Sequence, residues 1–126
     1  EQVFSFFTIN GFLKGFIDLV FEYDGQYFIA DYKSNYLGDS ALNYDDHSCK
    51  EAMYDHHYHL QYLVYTLALH RFLKQRIKDY DYDLHFGGVY YLFLRGMSAD
   101  KENKQGVYFH KPELKVIQQL DDLFNE

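Results

Sequence analysis

Two aspartates and a lysine lie in the sequence where a single β-hairpin would bring their side chains together. Two runs rich in Phe, Ile, Val and Tyr flank Asp24-Gly25, a dipeptide that strongly favours a two-residue hairpin turn. With that turn, Asp18 lies directly opposite Asp31, and Lys33 shares their face because side chains alternate along a strand. Opposed carboxylates repel each other across a ladder, so a bound cation would explain why both are present.

A carboxylate pair beside a lysine suits metal-dependent hydrolysis. Hard divalent ions such as Mg²⁺ take oxygen ligands and are commonly held by one or two carboxylates together with substrate phosphates. A lysine beside the ion can hold an attacking water or offset the charge that develops on phosphorus. The residues alone leave a second interpretation open, in which the hairpin is ordinary and its acidic side chains face solvent.

The composition limits the class of protein. The chain has 126 residues, of which 21% are aromatic, enough to form one domain with a moderate core. Its single cysteine, Cys49, excludes a disulfide framework and a four-cysteine zinc site. The formal net charge of -7 argues against a free-standing nucleic-acid binder, because such binding depends on Lys and Arg that neutralise phosphates. Neither a signal peptide nor a bilayer-spanning apolar run is found, so a cytoplasmic protein is expected.

The apolar pattern predicts an α/β fold in which an antiparallel three-strand meander precedes a long crossover helix and a further strand. The second hairpin turn of the meander would be Asn10-Gly11, and a long polar connection follows over 34–49. The predicted elements are strands over 3–9, 12–23 and 26–33, a helix over 50–78, a buried strand over 86–95, a short edge strand over 107–110 and a last helix from Pro112. The predicted apolar helix faces are Leu60, Leu63, Val64, Leu67, Phe72 and Leu73, then Leu114, Ile117, Leu120, Leu123 and Phe124.

Polar residues of the long helix form a second stripe. His57, Gln61 and Tyr65 are spaced four residues apart and so lie along one side of the helix. Their spacing alone predicts residues at the boundary between the apolar and polar faces. Five histidines lie in or near this helix, but no zinc-binding spacing connects them. Solvated side chains are therefore expected for all five, which are His47, His56, His57, His59 and His70.

Four blocks of sequence resemble a known nuclease family. Asp18 followed by Asp31-Tyr32-Lys33 is similar to the D…(D/E)-x-K signature of the PD-(D/E)xK nuclease superfamily. The blocks G-F-I-D-L-V-F, D-Y-K-S-N, Q-Y-L-V-Y-T-L-A-L-H-R and F-G-G-V-Y-Y-L-F-L-R-G resemble, in this order, the C-terminal RecB nuclease domains of exodeoxyribonuclease V beta subunits. The resemblance implies a restriction-endonuclease-like core, normally αβββαβ, whose first helix is missing here.

The resemblance also implies roles for individual residues. Asp18, Asp31 and Lys33 would be catalytic, and both carboxylates would bind Mg²⁺, or Mn²⁺, together with the backbone carbonyl of Tyr32. Gln61 and Tyr65 match a Gln-x-x-x-Tyr motif that holds the catalytic residues or contacts the nucleic acid. Relatives carry a further histidine ligand upstream, whereas this chain has no histidine before His47.

The function implied is metal-dependent hydrolysis of DNA by a RecBCD-type helicase-nuclease of bacterial double-strand break repair and recombination. Residues 1–126 would be a single nuclease domain from a longer chain, weakly active or inactive alone. An attached ATP-driven helicase would deliver DNA as single strands, and the partners would be the other exodeoxyribonuclease V subunits and the RecA recombinase. Two alternatives remain: a non-catalytic protein-docking module, or a stand-alone nuclease of the same superfamily.

Overall fold

One five-stranded sheet organises the chain. The computed structural model describes residues 2–4, 17–97 and 105–125. In the sheet the strands follow their order in the chain, and only the β3–β4 pair is parallel. The strands are β1 (Gln2–Phe4), β2 (Leu19–Tyr23), β3 (Gln26–Lys33), β4 (Phe86–Phe93) and β5 (Val107–His110). The predicted α/β architecture is therefore confirmed, although the Asn10-Gly11 turn lies outside the described residues.

The hairpin between β2 and β3 has the predicted turn and register. Tyr23 pairs with Gln26, and the two residues between them, Asp24 and Gly25, have φ angles of 51° and 80°. Positive φ at both central positions matches the right-handed twist of the flanking strands, which is why Asp-Gly favours this turn. The turn therefore fixes which residues of the two strands face each other.

The prediction of one long helix over 50–78 is wrong in one respect, because the structure has two helices in this part of the chain. α1 (Asp46–Asp55) begins earlier than expected, where the Asp45 side chain accepts from the Ser48 N–H and caps the first turn. α2 (Tyr58–Arg76) follows after His57, whose φ of 58° is left-handed. Because a left-handed residue cannot continue a right-handed helix, α1 packs beside β5 while α2 crosses β4.

The described part of the chain holds two further helices, α3 (Tyr82–His85) and α4 (Leu114–Phe124). α3 lies in the segment expected to be a polar link, where the Asp81 side chain accepts from the N–H groups of Asp83 and Leu84. Short 3-10 turns lie at Ala41–Tyr44 and Leu94–Gly96. Among the described residues, no helix is both long and apolar enough to cross a membrane.

The core lies between α2 and one face of the sheet. Its central residues come from both layers and are Val20, Ile29, Tyr65, Leu69, Leu73 and Val89. Three residues predicted to lie on buried helix faces are exposed instead, namely Leu60, Leu123 and Phe124. Leu60 lies about 200° around the helix from the buried Tyr62, and the other two occupy the last turn of α4. His70, expected in solvent, is buried and hydrogen-bonds Tyr80 through Nδ1 at 2.9 Å.

Candidate active site

The two aspartates lie where the β2–β3 ladder ends. Pairing stops at Leu19 and Ala30, one rung before Asp18 and Asp31 would face each other. The N–H of Tyr32 donates instead to Asp18 Oδ2 at 2.8 Å. Asp18 is exposed, whereas Asp31 is 2% exposed. The end of the ladder therefore presents one carboxylate to solvent and keeps the other inside the protein.

Burial controls the charge of Asp31. Loss of solvent raises the pKa of this carboxyl to about 6, an effect that nearby Lys33 opposes and nearby Asp18 reinforces. Lys33 Nζ forms an ion pair with Asp31 Oδ2 at 2.6 Å. This ion pair offsets part of the cost of burying the carboxylate.

The donors at this end of the ladder fit a hard divalent cation. Two carboxylates lie together, and the buried oxygen of one, Asp31 Oδ2, has the Lys33 ammonium as its ion-pair partner. In a regular antiparallel ladder the N–H and C=O of one residue point the same way, so the Tyr32 carbonyl is expected on the side of Asp18. Residues 17–97 and 105–125 hold no group of three or more His, Cys, Asp or Glu side chains that could bind a metal. Mg²⁺ commonly completes such a pair of carboxylates with backbone carbonyls, water and substrate oxygens.

Lys33 is enclosed by groups from three elements. Its side chain is 14% exposed, and besides Asp31 its Nζ donates to Gln61 Oε1 at 3.1 Å. The ammonium also lies 4.1 Å from the ring centroid of Tyr58 and 5.4 Å from that of Tyr91, within the range of cation–π attraction. The lysine therefore sits in a defined position even though its side chain is flexible.

Gln61 and Tyr65 lie on the face of α2 that covers this site. Gln61 accepts from Lys33, as above, and Tyr65 is buried. Burial raises the pKa of Tyr65 to about 12, reinforced by the charges of Asp31 and Asp18 and opposed by a hydrogen bond from Gln61. The structure thus brings together all five side chains singled out from the sequence, although their roles remain predictions.

Sequence reasoning missed two tyrosines and an asparagine around the lysine. Tyr91 lies beside Asp31 in the parallel ladder, and its hydroxyl donates to Gln61 Oε1 at 2.8 Å. Tyr58 stacks on Tyr91 with centroids 5.7 Å apart and donates to Asn35 Oδ1 at 3.3 Å. The i, i+3 spacing of Tyr58 and Gln61 was a usable signal, whereas Tyr91 depends on the register of a distant strand.

Comparison with known proteins agrees with this arrangement. The family model of the PD-(D/E)XK nuclease superfamily matches residues 2–126. The RecBCD enzyme subunit RecB of Escherichia coli K12 is 52% identical over 121 residues, which cover 95% of this chain and 10% of that subunit. RecB of Haemophilus influenzae is 46% identical over a region that covers 98% of this chain and 10% of that subunit. RecB of Mycobacterium tuberculosis H37Rv is 41% identical over a region that covers 93% of this chain and 11% of that subunit. The chain thus spans only about a tenth of the length of these relatives.

Proposed function

Because the chain belongs to the PD-(D/E)XK nuclease superfamily, we propose that it hydrolyses phosphodiester bonds of DNA as the nuclease domain of a RecBCD-type helicase-nuclease. The observation that carries this proposal is the cluster of Asp18, Asp31 and Lys33 at the end of one ladder. A plain surface hairpin does not require two neighbouring carboxylates, one of them buried with a lysine as its ion-pair partner, because burial of charge is unfavourable.

Each residue of the cluster has a distinct role in the proposed reaction. Asp18 and Asp31 would hold Mg²⁺, or Mn²⁺, together with the Tyr32 carbonyl. When bound, such an ion polarises the scissile phosphate and makes an attacking water more acidic. Lys33 would hold that water or offset the negative charge that builds on phosphorus. Its ammonium lies beside Asp31 and Gln61. Because an ammonium is positively charged and donates hydrogen bonds, it could donate either to the water or to a phosphate oxygen.

The proposed substrate is DNA delivered by another part of the assembly. A net charge of -7 gives the chain little long-range attraction for phosphates. The relatives named above are subunits of RecBCD enzymes and about ten times longer than this chain, so the remaining polypeptide and its partner subunits would hold the DNA. We propose that a helicase of the same assembly supplies single strands to this site.

Substitution of Lys33 in the intact polypeptide tests this function. Lys33→Ala should lower Mg²⁺-dependent cleavage of single-stranded DNA by roughly 10²–10³-fold, as expected for loss of a group that acts at the transition state. ATP-driven unwinding should persist, because the substitution lies outside the helicase.

Lys111→Ala is the matched control, since Lys111 also lies over a tyrosine ring, that of Tyr82, and donates to a backbone carbonyl. This variant should cleave at the wild-type rate. Cleavage by Lys33→Ala at that same rate would show that the lysine does not serve the reaction and that the assignment is wrong.

A further inference from the structure

The carboxamide of Gln61 connects Lys33 to a buried tyrosine. Gln61 Oε1 accepts from Lys33 Nζ at 3.1 Å and from the Tyr91 hydroxyl at 2.8 Å. A carbonyl oxygen has two lone pairs, so these donors use its full capacity. Gln61 therefore links the position of the Lys33 ammonium to Tyr91 through two hydrogen bonds.

The chemistry of the donors also fixes which way the amide points. An ammonium group can only donate, so the oxygen of Gln61, and not its nitrogen, must face Lys33. The amide nitrogen then faces Tyr65, consistent with the Gln61 hydrogen bond that lowers the pKa of that phenol. Rotation of the amide by 180° would place its N–H groups against the Lys33 ammonium, which cannot accept a hydrogen bond.

Tyr91 itself is buried beside one of the two carboxylates. Its side chain is 1% exposed, and it stands beside Asp31 because the two residues are neighbours in the parallel ladder. Its hydroxyl donates to Gln61 Oε1 from this position. Its oxygen is also 3.3 Å from the Tyr58 carbonyl at the start of α2, which ties β4 to that helix.

We propose that Tyr91 is a positioning residue for the nuclease reaction, acting through Gln61 to hold the Lys33 ammonium at the carboxylate pair. The ring of Tyr58, 4.1 Å from the ammonium, covers the other side of that group. This inference rests on the proposed function, since Lys33 must serve the reaction for its placement to matter. It adds two residues, Tyr91 and Tyr58, whose side chains act on the position of Lys33.

A double-mutant cycle in the intact polypeptide separates this role from simple packing. Tyr91→Phe keeps the ring and removes only the hydroxyl. We expect kcat for single-stranded DNA cleavage with Mg²⁺ to fall about tenfold, with KM changed by less than about twofold, the size expected for one hydrogen bond lost at the transition state. In a Gln61→Ala background the same substitution should lower kcat by less than about twofold, because the route from Tyr91 to Lys33 is already broken.

Tyr82→Phe is the matched control. Tyr82 is also a buried tyrosine whose hydroxyl donates to a carbonyl, that of Pro112 at 2.6 Å, but it lies outside the cluster. This variant should lose some stability and keep the wild-type kcat. Tyr58→Leu provides a second test that leaves the core tyrosine in place, and it should lower kcat roughly fivefold through loss of the cation–π contact.

Two results would overturn the inference. One is an equal loss of kcat from Tyr91→Phe with and without Gln61, since independent effects multiply. The other is a wild-type kcat for Tyr91→Phe, whatever the result for Tyr58→Leu. Failure of the proposed function gives a different result, because Lys33→Ala would then retain activity or the wild-type protein would not cleave DNA.

Discussion

Replacing Asp31 by asparagine should stabilise the metal-free protein above pH 6. Asp31 is 2% exposed, and its pKa rises from 3.8 to about 6. A pKa difference of this size corresponds to about 3 kcal/mol of disfavour for the ionised form in the folded state. The asparagine side chain would have a similar shape without the charge, and after relaxation around it we expect a gain of about 1–3 kcal/mol in the free energy of unfolding at pH 8.

The pH dependence has a definite sign. The unfolded chain releases the Asp31 proton near pH 4, whereas the folded chain keeps it until about pH 6. Between these values the folded state binds more protons, so the free energy of unfolding falls as pH rises. The stability difference between Asp31→Asn and wild type should therefore be small at pH 4, grow through pH 4–6 and remain constant above that range.

Urea denaturation of the chain in the presence of EDTA, from pH 4 to pH 8, measures this difference. Asp55→Asn is the control, since it removes an exposed aspartate at the end of α1 and should change stability little. Saturating Mg²⁺ should stabilise the wild type but not Asp31→Asn, because only the wild type binds the ion tightly in its folded state. A destabilised Asp31→Asn at pH 8, or a difference that does not vary with pH, would refute the reasoning.

Two further predictions concern packing. Gly96→Ala should lower the free energy of unfolding by about 1–3 kcal/mol in urea denaturation, because an added Cβ would overlap the buried Tyr44 side chain; unchanged stability would show that the 3-10 turn after β4 can move away. The thiol of Cys49 is fully buried, its pKa is raised to about 11 by burial, and its Sγ donates to the Tyr44 carbonyl. It should react with Ellman's reagent only at the rate of unfolding, and rapid labelling of the native chain would contradict this placement.

The sequence predicts the half of the site that depends on local structure. Asp24-Gly25 determines its own turn, and the turn determines the register that brings Asp18 to the level of Asp31. Alternation then places Lys33 on the same face. These steps involve neighbouring residues only, which is why the turn and the register agree with the prediction, although β2 begins only at Leu19 and the ladder ends before Asp18.

Features that depend on long-range packing could not be predicted in this way. The break at His57 reflects one left-handed residue in a segment whose helical spacing continues on both sides. The burial of His70 requires Tyr80, which lies beyond the end of α2. Tyr91 reaches Gln61 only because β4 pairs with β3 in one particular parallel register, and apolar patterning does not specify that register.

Binding of a divalent cation by Asp18 and Asp31 is the central claim, and calorimetric titration of Mg²⁺, then Mn²⁺, into the chain tests it most directly. The wild-type chain should give a saturable heat, and Asp31→Ala should give none, because one of two carboxylate ligands is lost. Asp55→Ala removes one exposed carboxylate outside the cluster and should titrate as the wild type does. Equal heats for the wild type and Asp31→Ala would contradict the account.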